Sequence, residues 1–187
     1  NSSTCIQVIT VEDSTPPTIT SCPANTTIEC DESTLPENTG MATATDNCDA
    51  MPAVTYDDVT AASQTCLQEY TITRTWLATD ACGNTSTCMQ VISVDDSTPP
   101  TITNCPANIT IECDDSILPD STGMASATDN CDSAPTVTYD DSIAPSQTCI
   151  QEYTITRTWL ATDDCGNTST CTQVIVVDDR TAPVITF

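Results

Sequence analysis

The sequence of 187 residues has no histidine and no lysine, and three arginines carry all of its positive side-chain charge. Without histidine or lysine there is no ordinary base to activate a serine nucleophile and no amine to form a Schiff base. A pair of carboxylates could still act on a glycoside. However, the acidic residues recur at regular intervals along the chain, and enzymes seldom need identical active sites in tandem. We therefore expect no enzymatic activity.

Aromatic residues and long apolar runs are scarce as well. Aromatic side chains make up 4% of the chain, which is few for modules that bind carbohydrate on exposed rings. There is no run of about 20 apolar residues, the length that a membrane-spanning helix needs. We therefore expect no membrane insertion.

Negative charge has almost nothing to balance it. The chain carries 27 Asp and Glu against three Arg, a formal net charge of −24. Such a surface repels nucleic acid phosphates and anionic lipids, and it attracts divalent cations. We therefore expect no nucleic acid partner. The alternative is that the acidic surface only keeps the protein soluble.

Cysteine, by contrast, is abundant. Thirteen cysteines in a chain of this length predict an oxidising compartment, and hence an extracellular protein, either secreted or on the cell surface. Zinc binding is the competing use of cysteine, but histidine is absent and the spacings lack paired C-x-x-C knuckles. The sequence therefore predicts disulfide bonds.

The cysteines also define an internal repeat. Six cysteine positions recur after 83 residues: Cys22 and Cys105, Cys30 and Cys113, Cys48 and Cys131, Cys66 and Cys149, Cys82 and Cys165, Cys88 and Cys171. The repeats span residues 13–95 and 96–178, and about four residues in five are identical between them, as in a tandem array. We predict residues 1–12 to be the last strand of a preceding module and residues 179–187 to be the first strand of a following one. The chain is then a window on a longer array.

Short runs rich in β-branched residues, separated by Asp, Asn, Pro and Gly, predict strands. In the longest run, residues 69–79, Ile72, Arg74 and Trp76 share one face while threonines occupy the other. This alternation is typical of an antiparallel strand with one exposed face. About seven short strands per repeat would form a small all-β sandwich, whose thin core needs disulfides for stability.

Four motifs carry a family resemblance. They are D-x-T-P-P-x-I-x-x-C-P-A-N at residues 13–25, A-T-D-N-C at 44–48, W-L-A-T-D-A-C-G-N at 76–84 and T-C-x-Q-V-I-x-V-D-D at 87–96. In this order they resemble the hyalin repeat, an immunoglobulin-like sandwich found in extracellular proteins, including very long bacterial surface proteins. The resemblance covers the whole chain. The sequence departs from it by having six cysteines per repeat and by placing Gln90 where the family usually has an aromatic residue.

The resemblance also implies one disulfide per module, between Cys22 and Cys88 and between Cys105 and Cys171. We assign the remaining cysteines by position in a sandwich. Cys48 and Cys82 lie in Asp/Asn turns expected at one end, while Cys30 ends an early strand and Cys66 begins the long one. The expected pairs are Cys48–Cys82, Cys30–Cys66, Cys131–Cys165 and Cys113–Cys149.

Clusters of acidic residues make calcium the possible cofactor. Hard oxygen ligands from a linker and two turns are what Ca²⁺ requires. One predicted set consists of Asp95, Asp96, Asp129, Asp132 and Asp163; the equivalent earlier set contains Asp13, Asp46 and Asp80. The alternative is that Asp and Asn only form the turns.

Glycan acceptor motifs recur in both repeats. N-x-S/T sequons lie at Asn25, Asn84, Asn108 and Asn167. The D-S-T triplets at Ser14 and Ser97 resemble a bacterial O-glycan acceptor motif. We expect glycosylation, of a type that the sequence leaves open.

The function that we expect from these features is structural: a segment of a secreted tandem-repeat array that forms an extracellular filament, stalk or matrix fibre. Its partners would be other copies or modules of the same protein. One alternative is a spacer arm of a bacterial cell-surface adhesin, and another is a set of carbohydrate-binding modules. Arg74 and Arg157 each precede a Trp by two residues, and we expect them to clamp the sheet rather than to dock a ligand.

Overall fold

The computed structural model describes residues 1–147 and 149–185, which divide into two compact units. Unit 1 comprises Asn1–Ile28, Glu32–Ala62 and Tyr70–Val94, and unit 2 comprises Glu29–Asp31, Ser63–Glu69 and the chain from Asp95 onward. The chain passes from unit 1 to unit 2 one residue before the predicted repeat boundary. The boundaries of the repeat itself stay a prediction.

Unit 1 is built from two sheets and one helical turn. In chain order its elements are β1 (Thr18–Ser21), β2 (Thr26–Glu29), α1 (Pro36–Thr39), β3 (Thr43–Thr45), β4 (Ala53–Ala62), β5 (Tyr70–Thr79) and β6 (Thr85–Asp95). The four-stranded sheet has the order β2-β6-β5-β4, and β1 pairs with β3 in a second sheet. Six strands form, rather than about seven.

Unit 2 has the same elements in the same order. They are β7 (Thr101–Asn104), β8 (Ile109–Glu112), α2 (Pro119–Thr122), β9 (Ser126–Thr128), β10 (Thr136–Pro145), β11 (Tyr153–Thr162) and β12 (Thr168–Asp178). The four-stranded sheet has the order β10-β11-β12-β8, in which β8 runs parallel to β12. The predicted fold class is confirmed: the chain is all-β, with tandem immunoglobulin-like modules rich in disulfides.

The central strands alternate as the sequence predicts. On β5, Ile72, Arg74 and Trp76 are buried and the threonines between them are half-buried. On β6, Ile92 and Val94 are buried on the same face of the sheet. Each strand thus presents one apolar side to the core, and the period of two that marks the sequence is the pleat of the sheet.

The turn α1 was not predicted, and its two ends explain why it forms. Pro36 occupies the first helical positions, where the missing N–H costs nothing. Gly40 ends the turn with φ +102°, a conformation that other residues rarely adopt, and its N–H donates to the carbonyl of Pro36 at 2.8 Å. None of the helices in the described part of the chain is long and apolar enough to cross a lipid bilayer.

A buried arginine of β5 links this strand to β4 and to α1 in the core of unit 1. Arg74 is 1% exposed, and its guanidinium makes two bonds of 2.8 Å to the carboxylate of Asp58. It also donates to Thr39 Oγ1 at 2.9 Å and lies 4.5 Å from the ring centroid of Tyr56. Arg157 repeats this arrangement in unit 2 with Asp141. The clamp expected from the sequence is therefore confirmed.

Gln90 takes the core position where the resemblance would place an aromatic residue. It is fully buried, and its side-chain amide donates to the carbonyls of Ala24 at 3.0 Å and of Thr39 at 2.6 Å. Gln173 does the same in unit 2. The amide thus ties α1 and the link between β1 and β2 to the main sheet, since a buried carbonyl without a partner is costly.

Two disulfides join the sheets within the units. Cys22 bonds to Cys88 and Cys105 to Cys171, each with Cα atoms 6.3 Å apart. These are the pairs that the resemblance implies. Cys22 directly follows β1 and Cys88 lies in β6, so the bond fixes the small sheet to the large one.

The structure corrects the other four predicted pairs. Cys30 bonds to Cys131 and Cys66 bonds to Cys165, both within unit 2. The predicted bond Cys30–Cys66 does not form because both sulfurs are bonded to other cysteines, and Cys113 and Cys149 are both unbonded. Cys30 follows β2 and Cys66 precedes β5, and β6 lies between these two strands in the sheet. Cys131–Cys165 is excluded because both sulfurs are already bonded, and Cys48 and Cys82 stay unbonded.

The two terminal segments carry no strand. Residues 1–17 and 179–185 have no strand partner among the described strands, and a strand exists only when it is paired. Thr186 and Phe187, the end of the predicted following strand, lie outside the described residues. Membership of these segments in neighbouring modules stays a prediction.

Candidate cation site

Three carboxylates of unit 1 lie close together: two come from turns, and one comes from the segment that leads into β1. Oxygen atoms of Asp13, Asp46 and Asp80 lie within 4.8 Å of one another. These residues come from three separate segments: the approach to β1, the turn after β3 and the turn after β5. The sequence-predicted set Asp13, Asp46 and Asp80 is therefore brought together, although whether it binds a metal stays a prediction.

The turn after β3 orients Asp46. Its Oδ1 accepts the backbone N–H groups of Cys48 and Asp49, both at 2.9 Å. Its Oδ2 is buried and has no hydrogen-bond partner. The two N–H donors hold the pKa of Asp46 below its ordinary value. Asp46 is thus held in its ionised form, and its Oδ2 remains without a hydrogen-bond partner.

The turn after β5 orients Asp80 in the same way. Burial pushes the pKa of Asp80 upward, but hydrogen bonds from Asn84, Cys82 and Gly83 outweigh it and hold the pKa below its ordinary value. Gly83 has φ +90°, which lets this turn close. The Asn84 side-chain amide donates to Asp80 Oδ2 at 2.8 Å and to the backbone oxygen of Asp13 at 3.2 Å.

Asn84 is a residue that the cation prediction missed. It joins Asp13 to Asp80 and so sets the geometry of the cluster, as Asn167 does for Asp96 and Asp163 in unit 2. The D-x-C-G-N spacing after β5 and β11 could have revealed this role. Instead, the asparagine was assigned only to a sequon.

The equivalent cluster in unit 2 is more buried. Asp96 is 4% exposed and Asp163 is 6% exposed, and their oxygens lie within 4.8 Å of each other and of the sulfur of Cys165. Oδ2 of Asp96 and Oδ2 of Asp129 are both buried without a hydrogen-bond partner. Burial, and next the negative charge of Asp129, raise the pKa of Asp96.

Three further predicted ligands, Asp95, Asp129 and Asp132, are not in the groups of side chains whose ligand atoms lie within 4.8 Å of one another. Asp95 is exposed at the end of β6 and belongs to neither cluster. Asp132 is buried, but its two oxygens accept the N–H groups of Ala134 at 2.9 Å and of Asp164 at 3.1 Å. It links the two turns of unit 2 instead of offering a free oxygen. Whether these residues bind a cation stays a prediction.

Cys48 lies beside the unit 1 cluster. Although Cys48 is exposed, partial loss of hydration, followed by the charges of Asp13 and Asp46, raises the pKa of its thiol. A raised pKa lowers the thiolate fraction at neutral pH and slows reactions of the sulfur.

The glycan acceptors differ in accessibility. The Asn84 amide nitrogen donates hydrogen bonds to Asp13 and Asp80, so a glycan on that nitrogen would break the cluster. The Asn167 amide donates in the same way to Asp96 and Asp163. Asn25 and Asn108 are exposed and accept backbone bonds through Oδ1. Ser14 is exposed, whereas Ser97 bonds to Glu29 through both its N–H and its hydroxyl.

Replacing Asp96 by asparagine is expected to raise the stability of unit 2 when no cation is bound and to lower it when a cation is bound. The pKa of Asp96 is raised on folding, so its charge destabilises the folded state above that pKa, and the penalty is relieved as pH falls through it. In chelator at neutral pH, Asp96→Asn should raise the melting temperature of unit 2 by a few degrees and remove the gain that the parent chain shows on mild acidification.

Trp159 fluorescence in a Trp76→Phe background reports the melting of unit 2. Asp95→Asn is the matched control, because it removes the same charge from an exposed neighbour. An equal rise in both variants would assign the effect to net charge and not to the buried carboxylate.

Comparisons with known proteins show no family for the chain. No protein-family model and no curated protein matches it significantly. Similar solved structures include the tandem Ig repeats of Dlar, with 13% identity and a TM-score of 0.32 over 88% of this chain and 99% of that one. The N-terminal Ig1-2 module of the Drosophila receptor protein tyrosine phosphatase DLAR has 11% identity and a TM-score of 0.31, covering 88% and 100%.

Human mucin-like protocadherin EC1-2 is similar at 12% identity and a TM-score of 0.31, covering 87% of this chain and 98% of that one. Likenesses at these TM-scores transfer no ligand, partner or function to the chain.

Proposed function

We propose that this chain is a structural segment of a secreted tandem-repeat array that forms an extracellular filament, stalk or matrix fibre. The observation that carries the proposal is covalent continuity. Cys30 and Cys66 belong to the first sequence repeat, and each is bonded to a cysteine of the second. Bonds that join successive repeats resist pulling along the array, and they require an oxidising compartment. The resemblance to the hyalin repeat supports the same function.

A spacer arm of a bacterial surface adhesin would use the same modules. Electron microscopy of the isolated chains separates the two functions. Side-by-side or end-to-end association into fibres supports the filament, and discrete single rods support the arm.

Carbohydrate binding by each module is the weaker alternative. Trp76 and Trp159 are 2% exposed, so neither ring offers a face for stacking on a sugar. Tyr56 packs against Trp76, with ring centroids 5.3 Å apart, and lies under Arg74. The two Trp rings therefore serve the core, and the Tyr56 ring, although 43% exposed, lies against Trp76 and Arg74.

Calcium at the two acidic clusters is part of the proposal. Crowded carboxylates with buried, unpartnered oxygens on Asp46, Asp96 and Asp129 are costly unless a cation compensates them. Ca²⁺ takes six to eight oxygen ligands in flexible geometry, and carboxylates, backbone carbonyls and waters all serve. Oxygens of Asp13, Asp46 and Asp80 would supply the protein part of the unit 1 site. Glycans would fit best on the exposed side chains of Asn25, Asn108 and Ser14.

Asp46→Asn is expected to weaken calcium binding in unit 1 by about tenfold or more, since one charged oxygen ligand is lost while the turn keeps its Oδ1 acceptor. Isothermal titration of chelator-treated chain with CaCl₂ measures this. Asp129→Asn is the matched variant for unit 2, and Asp57→Asn, on the exposed side of β4, is the control for net charge.

A parent chain that binds no calcium would refute the calcium part of the proposal. So would an Asp46→Asn isotherm identical to that of Asp57→Asn. Neither result bears on the filament, which the electron microscopy tests separately.

A further inference from the structure

Four cysteines of the repeats remain unbonded in a pattern that the repeat explains. They are Cys48, Cys82, Cys113 and Cys149. Each has a bonded counterpart 83 residues away; in the same order these are Cys131, Cys165, Cys30 and Cys66. Each unbonded cysteine thus occupies, in one repeat, the position of a bonded cysteine in the other repeat.

We propose that Cys113 and Cys149 form disulfides with Cys48 and Cys82 of another copy of the repeat, so that two covalent bonds join each repeat to the next. This inference rests on the proposed tandem array and specifies how its members connect. The partner is a second copy of this chain, joined head to tail. The bonds Cys30–Cys131 and Cys66–Cys165 are the two examples of this connection inside the chain.

The turn that holds Cys48 already has the conformation of its bonded counterpart. The Cys48 N–H donates to Asp46 Oδ1 at 2.9 Å, and the Cys131 N–H donates to Asp129 Oδ1 at the same distance. The neighbouring asparagine amide contacts the sulfur at 2.9 Å in the first case and 3.1 Å in the second.

The turn that holds Cys82 matches its counterpart as well. Its N–H donates to Asp80 Oδ1 at 2.9 Å, as that of Cys165 does to Asp163 Oδ1. Bonded or not, these turns have one shape, so bonding requires no rearrangement of the backbone on this side.

The loop that holds Cys149 also resembles the loop of its bonded counterpart, Cys66. The loop after β4 and the loop after β10 are each closed by a backbone bond of 3.0 Å, from Ser63 to Glu69 and from Ser146 to Glu152. In both loops the serine hydroxyl accepts the N–H of the cysteine at 3.4 Å. Cys149 is therefore presented as Cys66 is.

Exposure distinguishes the two states. Every unbonded cysteine is more exposed than its bonded counterpart: Cys48, Cys82 and Cys113 are exposed where Cys131, Cys165 and Cys30 are half-buried, and Cys149 is half-buried where Cys66 is 4% exposed. For Cys48 and Cys82, whose turns keep the same backbone hydrogen bonds as those of Cys131 and Cys165, the difference is the cover that a partner provides.

The chemistry is ordinary thiol–disulfide exchange. Formation of each bond releases two protons and two electrons, and a small-molecule disulfide such as oxidised glutathione accepts them to become two thiols. A thiolate first attacks the small disulfide, and the cysteine of the second copy then displaces the small thiol from the mixed disulfide. Two bonds consume two molecules of the oxidant.

The test is oxidation of the full chain in a glutathione redox buffer, with Cys5→Ser present to remove the one cysteine outside the six-position repeat. Non-reducing electrophoresis should show a ladder of multiples of the chain that collapses on reduction. Mass mapping of the peptides should join Cys113 to Cys48 and Cys149 to Cys82 between chains. The intrachain Cys22–Cys88 peptide shows that the chains are folded.

Two capped variants give the sharper result. Cys48→Ser/Cys82→Ser removes one end, and Cys113→Ser/Cys149→Ser removes the other, so either variant alone should stay monomeric. Mixed together they should form a dimer and nothing larger, because only one complementary pair of ends is present.

Three outcomes would overturn the inference: an intrachain Cys48–Cys82 bond, bonds between identical cysteines, or four free thiols after oxidation. Fibres that form while these thiols stay free would refute the inference and leave the proposed filament standing. The predicted bonds without any fibre under the electron microscope would do the reverse.

Discussion

Removing the bond between Cys22 and Cys88 is expected to lower the free energy of unfolding of unit 1 by about 4 kcal/mol, as the chain-entropy model gives for a loop of this length. The bond closes a span of 66 residues, so its loss releases much of the unfolded chain. It is also the covalent link between the small sheet and the large one in a unit whose core is thin. The variant is Cys22→Ala/Cys88→Ala.

The measurement is urea unfolding followed by the fluorescence of Trp76, with Trp159→Phe in the background. Cys105→Ala/Cys171→Ala is the matched variant, which should leave the Trp76 transition in place and destabilise unit 2. A Trp76 transition shifted by less than 1 kcal/mol would show that packing alone joins the two sheets.

Arg74→Met is expected to destabilise unit 1 by about 3 kcal/mol, at the lower end of the range for breaking a buried ion pair. The methionine fills part of the space, but the carboxylate of Asp58 loses both of its 2.8 Å bonds and Thr39 Oγ1 loses a donor. Asp58 is 30% exposed, so water can solvate the released charge in part, which keeps the effect at the low end.

A double-mutant cycle with Asp58→Asn isolates the pair, and Arg157→Met is the matched change in unit 2. Arg180→Met is the control. Arg180 pairs with Asp178 at the same 2.8 Å, but its side chain is 59% exposed, so the loss should be about 0–1 kcal/mol. Equal losses for Arg74 and Arg180 would show that burial does not determine the strength of these pairs.

The sequence predicted the sheets better than the turns between them. The alternation along β5 and β6 follows from the pleat, so Ile72, Trp76 and Ile92 could be assigned to the core from spacing alone. The turn α1 could not be predicted, because four residues carry no helical period; only Pro36 and Gly40 mark it. The length of β4 could not be predicted, since most of its residues are exposed on this sheet edge and show no apolar alternation.

The acidic cluster was predicted in composition but not in detail. Asp13, Asp46 and Asp80 precede or follow strands that end on one side of a sandwich, which the motif order indicates. The role of Asn84 depends on its side-chain amide reaching Asp13 across 71 residues, which no local pattern encodes. The prediction of the cysteine pairs failed for a related reason. In a tandem repeat the partner of Cys30 can lie in the next repeat, and the spacing of cysteines within one repeat does not show which repeat supplies it.

The distance along the chain between Cys30 and Cys131 sets an order of events during synthesis. The two cysteines are 101 residues apart, so at typical rates of chain growth the second emerges about 5–20 s after the first. Cys22 emerges before Cys30, and Cys48, Cys66 and Cys82 emerge within that interval, so Cys30 meets several other thiols before Cys131. Any bond that Cys30 forms with one of these thiols has to be exchanged before the bond to Cys131 can form, so such a chain benefits from a compartment where disulfides are broken as well as made.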